Sequence, residues 1–125
     1  MQKLIIYTAG TPNGHKVHNF AEELRDVYGK DVFDFEYKTI SLGQNEQKED
    51  WFLKINPNGR IPALVDPNNN DFAVFETAAI LLYLEKKYDP EHKFSWPSSD
   101  PEAENYRSEV LQWMFFVHGG IGPMQ

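Results

Sequence analysis

The chain has no cysteine, no apolar run approaching the roughly 18 residues a membrane-spanning helix needs, and few basic groups. Without cysteine there is no disulfide scaffold, no thiolate zinc site and no cysteine nucleophile of the protein's own. Twelve Lys and Arg stand against 19 Asp and Glu, a net charge of −7, and the basic residues are scattered. That balance provides no electrostatic footprint for nucleic acid or for an anionic membrane, so neither is expected as a partner. The N-terminal Met1-Gln2-Lys3-Leu4-Ile5-Ile6-Tyr7 is too short an apolar run for a signal peptide. The expectation is a soluble protein of the cytoplasm. What remains is a chain of 125 residues, 41% hydrophobic and 14% aromatic, enough for one domain with a packed core and an appendage.

Leu4-Ile5-Ile6-Tyr7 is a continuous apolar run that stops at the turn formers Ala9 to Gly14, which predicts a buried strand entering a loop. Val17, Phe20, Ala21, Leu24, Val27 and Tyr28 then recur at helical spacing, and Gly29 ends the helix. Across Val32 to Ile40, Phe33, Phe35 and Tyr37 alternate with Asp34, Glu36 and Lys38, the pattern of a strand with one exposed face. Ser41 to Asp50 reads as loop, Trp51-Phe52-Leu53 as a short helical turn, and Ile61 to Val65 as a strand with proline at its start. Pro67-Asn68-Asn69-Asn70-Asp71 turns the chain into Phe72-Ala73-Val74-Phe75, completing a hairpin.

Thr77 to Tyr88 is apolar almost all round, so a helix covered on both sides is expected. A polar linker follows, and Asp100-Pro101 reads as the N-cap and first-turn proline of a last helix. That helix carries Tyr106, Val110, Trp113, Met114 and Val117 on one stripe and Leu111 and Phe115 on another. Strand, helix, strand, short helix, hairpin and helix make a mixed four-stranded sheet covered by helices, the thioredoxin-like α/β arrangement (βαβαββα). The expected division is a domain over 1–88, a linker over 89–100, and over 101–125 the first helix of an all-α domain.

Three constellations bear chemistry. Thr11-Pro12-Asn13-Gly14 lies between a strand end and a helix start, where unpaired N–H groups and a partial positive charge stabilise an anion. Thioredoxins place two cysteines here; this chain has none, so any thiolate must arrive with a ligand, and Thr11 and Asn13 are the hydrogen-bond donors on hand. A free thiol of pKa near 8.5 is a few per cent ionised at pH 7, whereas about 2 kcal/mol from a helix terminus and hydrogen bonds brings the pKa to about 7. The same residues equally suit an ordinary helix cap.

Arg60-Ile61-Pro62 follows a tight turn and holds an X–Pro bond that either isomer would fit. In Phe75-Glu76-Thr77, the Thr77 hydroxyl and helix N–H groups suit a carboxylate and Glu76 an ammonium, together an amino-acid headgroup; an N-cap with a helix-dipole glutamate reads as well. His15 and His18 share a helix face, but no third ligand joins them and no metal site is expected. Trp51, Trp96 and Trp113 are expected to be packing residues, and the glycines of Gly119-Gly120-Ile121-Gly122 follow a helix, unlike a phosphate loop.

Read together, YTAGTPNGHKV (7–17), QKEDWFLKINPNGRIPALVDP (47–67), FETAAILLYL (75–84) and QWMFFVHGGIGPMQ (112–125) resemble the glutathione transferases. The similarity is to the fungal and bacterial subgroup related to the yeast nitrogen-catabolite regulator, which includes bacterial nu-class disulfide reductases. The resemblance implies that Thr11 and Asn13 meet the sulfur of glutathione, and that Pro62 is a cis-proline whose neighbour Ile61 pairs through its backbone with the cysteinyl unit. It implies further that Glu76 and Thr77 hold the γ-glutamyl end, that Gln47 lies near the glycyl carboxylate, and that Arg60 belongs to the same binding set. Glutathione is then a co-substrate, the other partner a small electrophile or a disulfide, and the work detoxifying transfer or disulfide reduction.

Thr77-Ala78-Ala79 departs from the family's usual Ser-Gly-Ala or Ser-Asn-Ala but keeps the hydroxyl. The catalytic Tyr, Ser or Cys of other classes is missing. Family members continue into a helical domain of well over a hundred residues, whereas only 25 residues follow Asp100, so either a fragment or a shortened protein is expected. The apolar last helix predicts a homo-oligomer, with a swapped helix as one form. The alternative function is a non-catalytic glutathione-binding or regulatory module lacking the substrate-site domain.

Overall fold

The computed structural model describes residues 1–121. The last four residues, 122–125, which end the predicted 101–125 segment and include Gly122 of the glycine turn, lie outside the described residues.

The order is β1 (Leu4–Thr8), α1 (Pro12–Tyr28), β2 (Phe35–Thr39), α2 (Asp50–Leu53), β3 (Ala63–Asp66), β4 (Phe72–Phe75), α3 (Thr77–Tyr88) and α4 (Ala103–Phe115), whose end runs into a π-helical stretch, Phe116–Ile121. The strands form one sheet ordered β2-β1-β3-β4. β1 and β2 are parallel and joined by α1, while β3 is antiparallel to both β1 and β4. This is the thioredoxin-like α/β fold, followed by a first C-terminal helix. Among the described residues no helix is long and apolar enough to cross a membrane.

Successive side chains of a strand point to opposite faces, and β1 uses both. Leu4 and Ile6 enter a core with Val17, Ala21 and Leu24 of α1 and Ile80 and Leu84 of α3, all fully buried. Tyr7 enters a smaller cluster on the other face with Phe52 of α2, Ile40 and Ala63. Each such aliphatic side chain contributes about 1.5–3 kcal/mol when removed from water. α1 ends where Gly29 takes φ 83°, its N–H closing on the Arg25 carbonyl.

The structure departs from the sequence pattern in several places. The strand expected over Val32–Ile40 is shorter, Phe35–Thr39: the Asp34 carbonyl makes its first bond to β1, accepting from Leu4 N–H (3.0 Å), while the Asp34 carboxylate takes the Phe35 N–H (2.9 Å). β3 starts at Ala63, one residue after Pro62, which has no N–H to give to the ladder. Residues 41–50 are two single 3-10 turns, Leu42–Gln44 and Glu46–Lys48. Asp100 does not cap α4. Its carboxylate accepts from Glu102 N–H (2.8 Å) and its carbonyl from Ala103 N–H (3.1 Å), closing a turn that delays the helix to Ala103. Of α3 only Thr77, Ile80 and Leu84 are buried, a single face rather than two. The tryptophans pack only in part: Trp51 lies against Tyr7 and Phe52, and Trp96 against Tyr106, each 40% exposed, while Trp113, on the outer side of α4, is 67% exposed.

Candidate functional site

The strand register decides which loops meet. Tyr7 pairs with Ala63, and Ala63 with Phe75, so β1 leaves the sheet, β3 enters it and β4 leaves it at the same end. Thr8 pairs with Thr39, which brings the exit of β2 and the 41–50 turns to that end as well. Thr11, Pro62 and Thr77, spread over more than half of the sequence, therefore share one edge of the sheet.

At the start of α1, Thr11 is extended and its hydroxyl oxygen accepts from Gly14 N–H (3.2 Å), while its carbonyl accepts from His15 N–H (2.9 Å). The Thr11 hydroxyl thus caps the helix and still has its own proton to donate. Pro12 has no N–H, which leaves the Asn13 N–H as the open donor of this turn among the described residues. The Asn13 side-chain carbonyl accepts from Lys16 Nζ (3.2 Å), drawing an ammonium toward the same turn and leaving the Asn13 amide NH2 outward. Gly14 is buried against the preceding loop: a Cβ there would stand 2.4 Å from the Ala9 carbonyl oxygen and 2.5 Å from Thr8 Oγ1. Only glycine permits this approach.

Ahead of β3, Asn56 is 2% exposed and brackets its turn, its amide donating to the Arg60 carbonyl (2.7 Å) and its oxygen accepting from Asn58 N–H (2.9 Å). Gly59, at φ 62°, presses against the Gln47 carbonyl, where a Cβ would stand at 2.9 Å. The Ile61–Pro62 peptide is cis and Pro62 is buried. Among the described residues the Ile61 N–H and carbonyl make no backbone hydrogen bond. Gln47 holds its side-chain oxygen buried without a partner among the described residues, an acceptor suited to an N–H of a ligand rather than to a carboxylate. Arg60 projects into solvent.

Glu76 precedes α3 with φ 77° and ψ 125°, and its carbonyl accepts from Ile80 N–H (2.9 Å). No side chain caps the helix, so the N–H groups of residues 77–79 are open, and Thr77 is 5% exposed. A cavity of about 260 Å³ lies here between Lys16, Thr77, Ala78 and the end of α4. Thr77 alone of the predicted residues lines it; Thr11, Asn13, Gln47, Arg60, Ile61 and Pro62 lie along the open sheet end instead. A larger groove of about 1140 Å³ between α1, α3 and α4 touches none of the predicted residues. Among the described residues no cluster of three or more His, Asp or Glu is placed to hold a metal ion.

Sequence reasoning missed two residues, and it placed Gly14 in the Thr11–Gly14 constellation without its close seating. Asn56 was visible only as part of a turn signal. His118, which meets Glu76, has no local signal at all.

A mixed four-stranded sheet with α1, a cis-proline loop and the α3 N-terminus gathered at one end is a thioredoxin-like domain, here without the cysteines. Residues 3–86 match the glutathione S-transferase N-terminal domain, more than half of the chain, and the chain belongs to that family. It is 40% identical over 111 residues to glutathione S-transferase 1 of Schizosaccharomyces pombe, covering 89% of this chain and 44% of the relative. It is 37% identical over 123 residues to the disulfide-bond oxidoreductase YfcG of Escherichia coli, covering 95% and 50% respectively. A glutathione transferase homolog from Lodderomyces elongisporus, solved with two glutathione molecules per subunit, superposes with a TM-score of 0.84 at 40% identity, covering all of this chain and 54% of the other. The chain spans about half the length of the curated relatives it matches.

Proposed function

We propose that this chain is the glutathione-binding half of a glutathione transferase and that it activates the thiol of bound glutathione as a nucleophile. In this reading residues 1–88 form the binding domain, 89–100 a linker, and 101–125 the start of a helical domain. The observation that carries it is the register that gathers the α1 N-terminus, the Ile61–Pro62 loop and the α3 N-terminus at one sheet end. Thr11, Asn13 and the open N–H of α1 take the sulfur. The free Ile61 backbone pairs with the cysteinyl unit. Glu76 and Thr77 hold the γ-glutamyl end, and Gln47 and Arg60 the glycyl end.

The chemistry is thiolate attack. With an electrophilic carbon, a C–S bond forms and the leaving group departs with its electron pair; with a disulfide, a mixed disulfide forms and one thiolate leaves. The protein forms no covalent bond. Charge–dipole and hydrogen-bond stabilisation of about 2 kcal/mol would move the glutathione thiol from about 8.5 to about 7. Ultraviolet titration of the bound thiolate measures this. Thr11→Ala with Asn13→Ala should return the pKa toward 8.5, and an unchanged titration, or failure of the parent protein to bind immobilised glutathione, sinks the reading. The exposed Trp113, Phe115 and Phe116 support a homo-oligomer. They also favour a second reading, a glutathione-binding module that acts through this face; turnover by the chain itself would exclude it.

A further inference from the structure

Glu76 does not cap its own helix. Its Oε2 instead lies 3.1 Å from Nε2 of His118, 42 positions later, on the π-helical continuation of α4. Both side chains are partly open to solvent, 49% and 36% exposed, so the pair adds little to folding. Glu76 Oε1 has no partner among the described residues. Beside the pair, Thr77 is 5% exposed, yet its hydroxyl makes no hydrogen bond among the described residues. The 260 Å³ cavity beside Thr77 is lined by apolar atoms of Thr77, Lys16 and His118.

The charged groups at the start of α3 form a pattern: the carboxylate of Glu76 stands against the imidazole of His118 and beside the open N–H groups of the helix. An α-amino-acid headgroup carries its ammonium and its carboxylate on one carbon, and a side-by-side anion and N–H donor is the complement of both at once.

We infer that His118 is a specificity-determining residue for the γ-glutamyl end of the ligand, its Nε2–H turning from Glu76 to the ligand's α-carboxylate while Glu76 takes the α-ammonium. This rests on the function proposed above. Glu76 keeps Oε1 for the ammonium, and Thr77 and the α3 N–H groups supply the remaining donors to the carboxylate. His118 thereby makes the site read a zwitterion rather than an amine alone, and it ties the end of α4 to ligand occupancy.

The test is a cycle between protein and ligand, read as dissociation constants by calorimetry. The ligands are glutathione, the analogue with a 4-aminobutyryl group in place of γ-glutamyl (no α-carboxylate), and the glutaryl analogue (no α-ammonium). His118→Ala should weaken glutathione and the glutaryl analogue about three- to tenfold, and the 4-aminobutyryl analogue less than twofold. His118→Gln, which keeps a donor, should recover part of the loss and carries the comparison if the alanine variant does not fold. Equal losses for all three ligands would assign His118 a structural role and overturn the inference, as would tighter binding of glutathione by His118→Ala, the mark of a competitor for Glu76. If the parent protein binds no glutathione, the proposed function falls and this inference with it; if it binds but the cycle shows no coupling, only the inference falls.

Discussion

Replacing Gly14 by alanine tests how tightly the start of α1 is seated on the loop before it. The added Cβ would lie 2.4 Å from the Ala9 carbonyl oxygen and 2.5 Å from Thr8 Oγ1, about 1 Å short of ordinary contact. Thr8 is buried at the end of β1 and the other clash is with backbone, so neither neighbour can turn aside as the tip of a long side chain would. The first turn of α1 must lift instead, carrying Thr11 and the open Asn13 N–H with it. Overpacking of this kind costs about 2–3 kcal/mol, or about 8–12 °C in melting temperature for a chain of this size. If that turn takes the sulfur as proposed, a shift of about 1 Å there should also weaken glutathione binding. Gly10→Ala is the control, because its Cβ would meet nothing within 4 Å and its backbone is not left-handed; a change within about 0.5 kcal/mol is expected. Melting curves of the two variants, with glutathione titrations of each, make the comparison. If Gly14→Ala melts within 2 °C of Gly10→Ala and binds glutathione equally well, the close seating of α1 is not what positions the site.

Asn56→Ala removes two buried hydrogen bonds and strands the Arg60 carbonyl and the Asn58 N–H, so a loss of about 2–3 kcal/mol is expected in urea unfolding; a shift below about 0.5 kcal/mol would show that the turn holds without its bracket. Acid should destabilise the fold through Asp34 and Asp89. Burial works against their charge but is outweighed at Asp34 by Phe35 N–H and Arg25, and at Asp89 by the Tyr28 and Ser95 hydroxyls and the N–H groups of Phe94 and Lys93, so both titrate below the usual carboxylate range. Their contribution is complete above the unfolded value of about 3.9 and is lost as pH falls through the folded values; Asp34→Asn with Asp89→Asn should flatten the stability profile below about pH 4, and an unchanged slope would contradict this. Alkali acts with the opposite sign at Tyr83, whose phenol is pushed up to about 12 by burial and by its bond to Asp66. Its contribution is complete below the unfolded value of about 10 and fades as pH rises toward 12, so ionisation of Tyr83, read at 295 nm as the difference from Tyr83→Phe, should be absent at pH 10.5 in the folded protein.

Much of the fold is legible because its signals are local. The Leu4–Tyr7 run, the stripe from Val17 to Tyr28 with Gly29 behind it, and the asparagine-rich turn before Phe72 each need only neighbours within a few positions. Thr11, Pro62 and Thr77 stand out for the same reason, being a cap, a proline at a strand start and the first residue of a helix. The start of α4 was misread because Asp100 has two ways to use its oxygens, and the turn to Ala103 takes both. Trp113 departs from its expected packing role because an apolar side chain says only that burial is favourable, not that a surface exists to cover it.

Composition and local pattern alone determined that the chain folds around a mixed sheet and that no side chain of these 125 residues brings a thiol to the site, since a missing residue type cannot be supplied by folding. Tertiary structure decided what the candidate residues do together. The pairing of Tyr7 with Ala63 and of Ala63 with Phe75 gathers three loops at one edge, and the packing of α4 carries His118 to Glu76. Neither can be read along the chain, because hydrogen-bond register and helix packing are settled by contacts between segments tens of residues apart, where sequence spacing holds no information about distance.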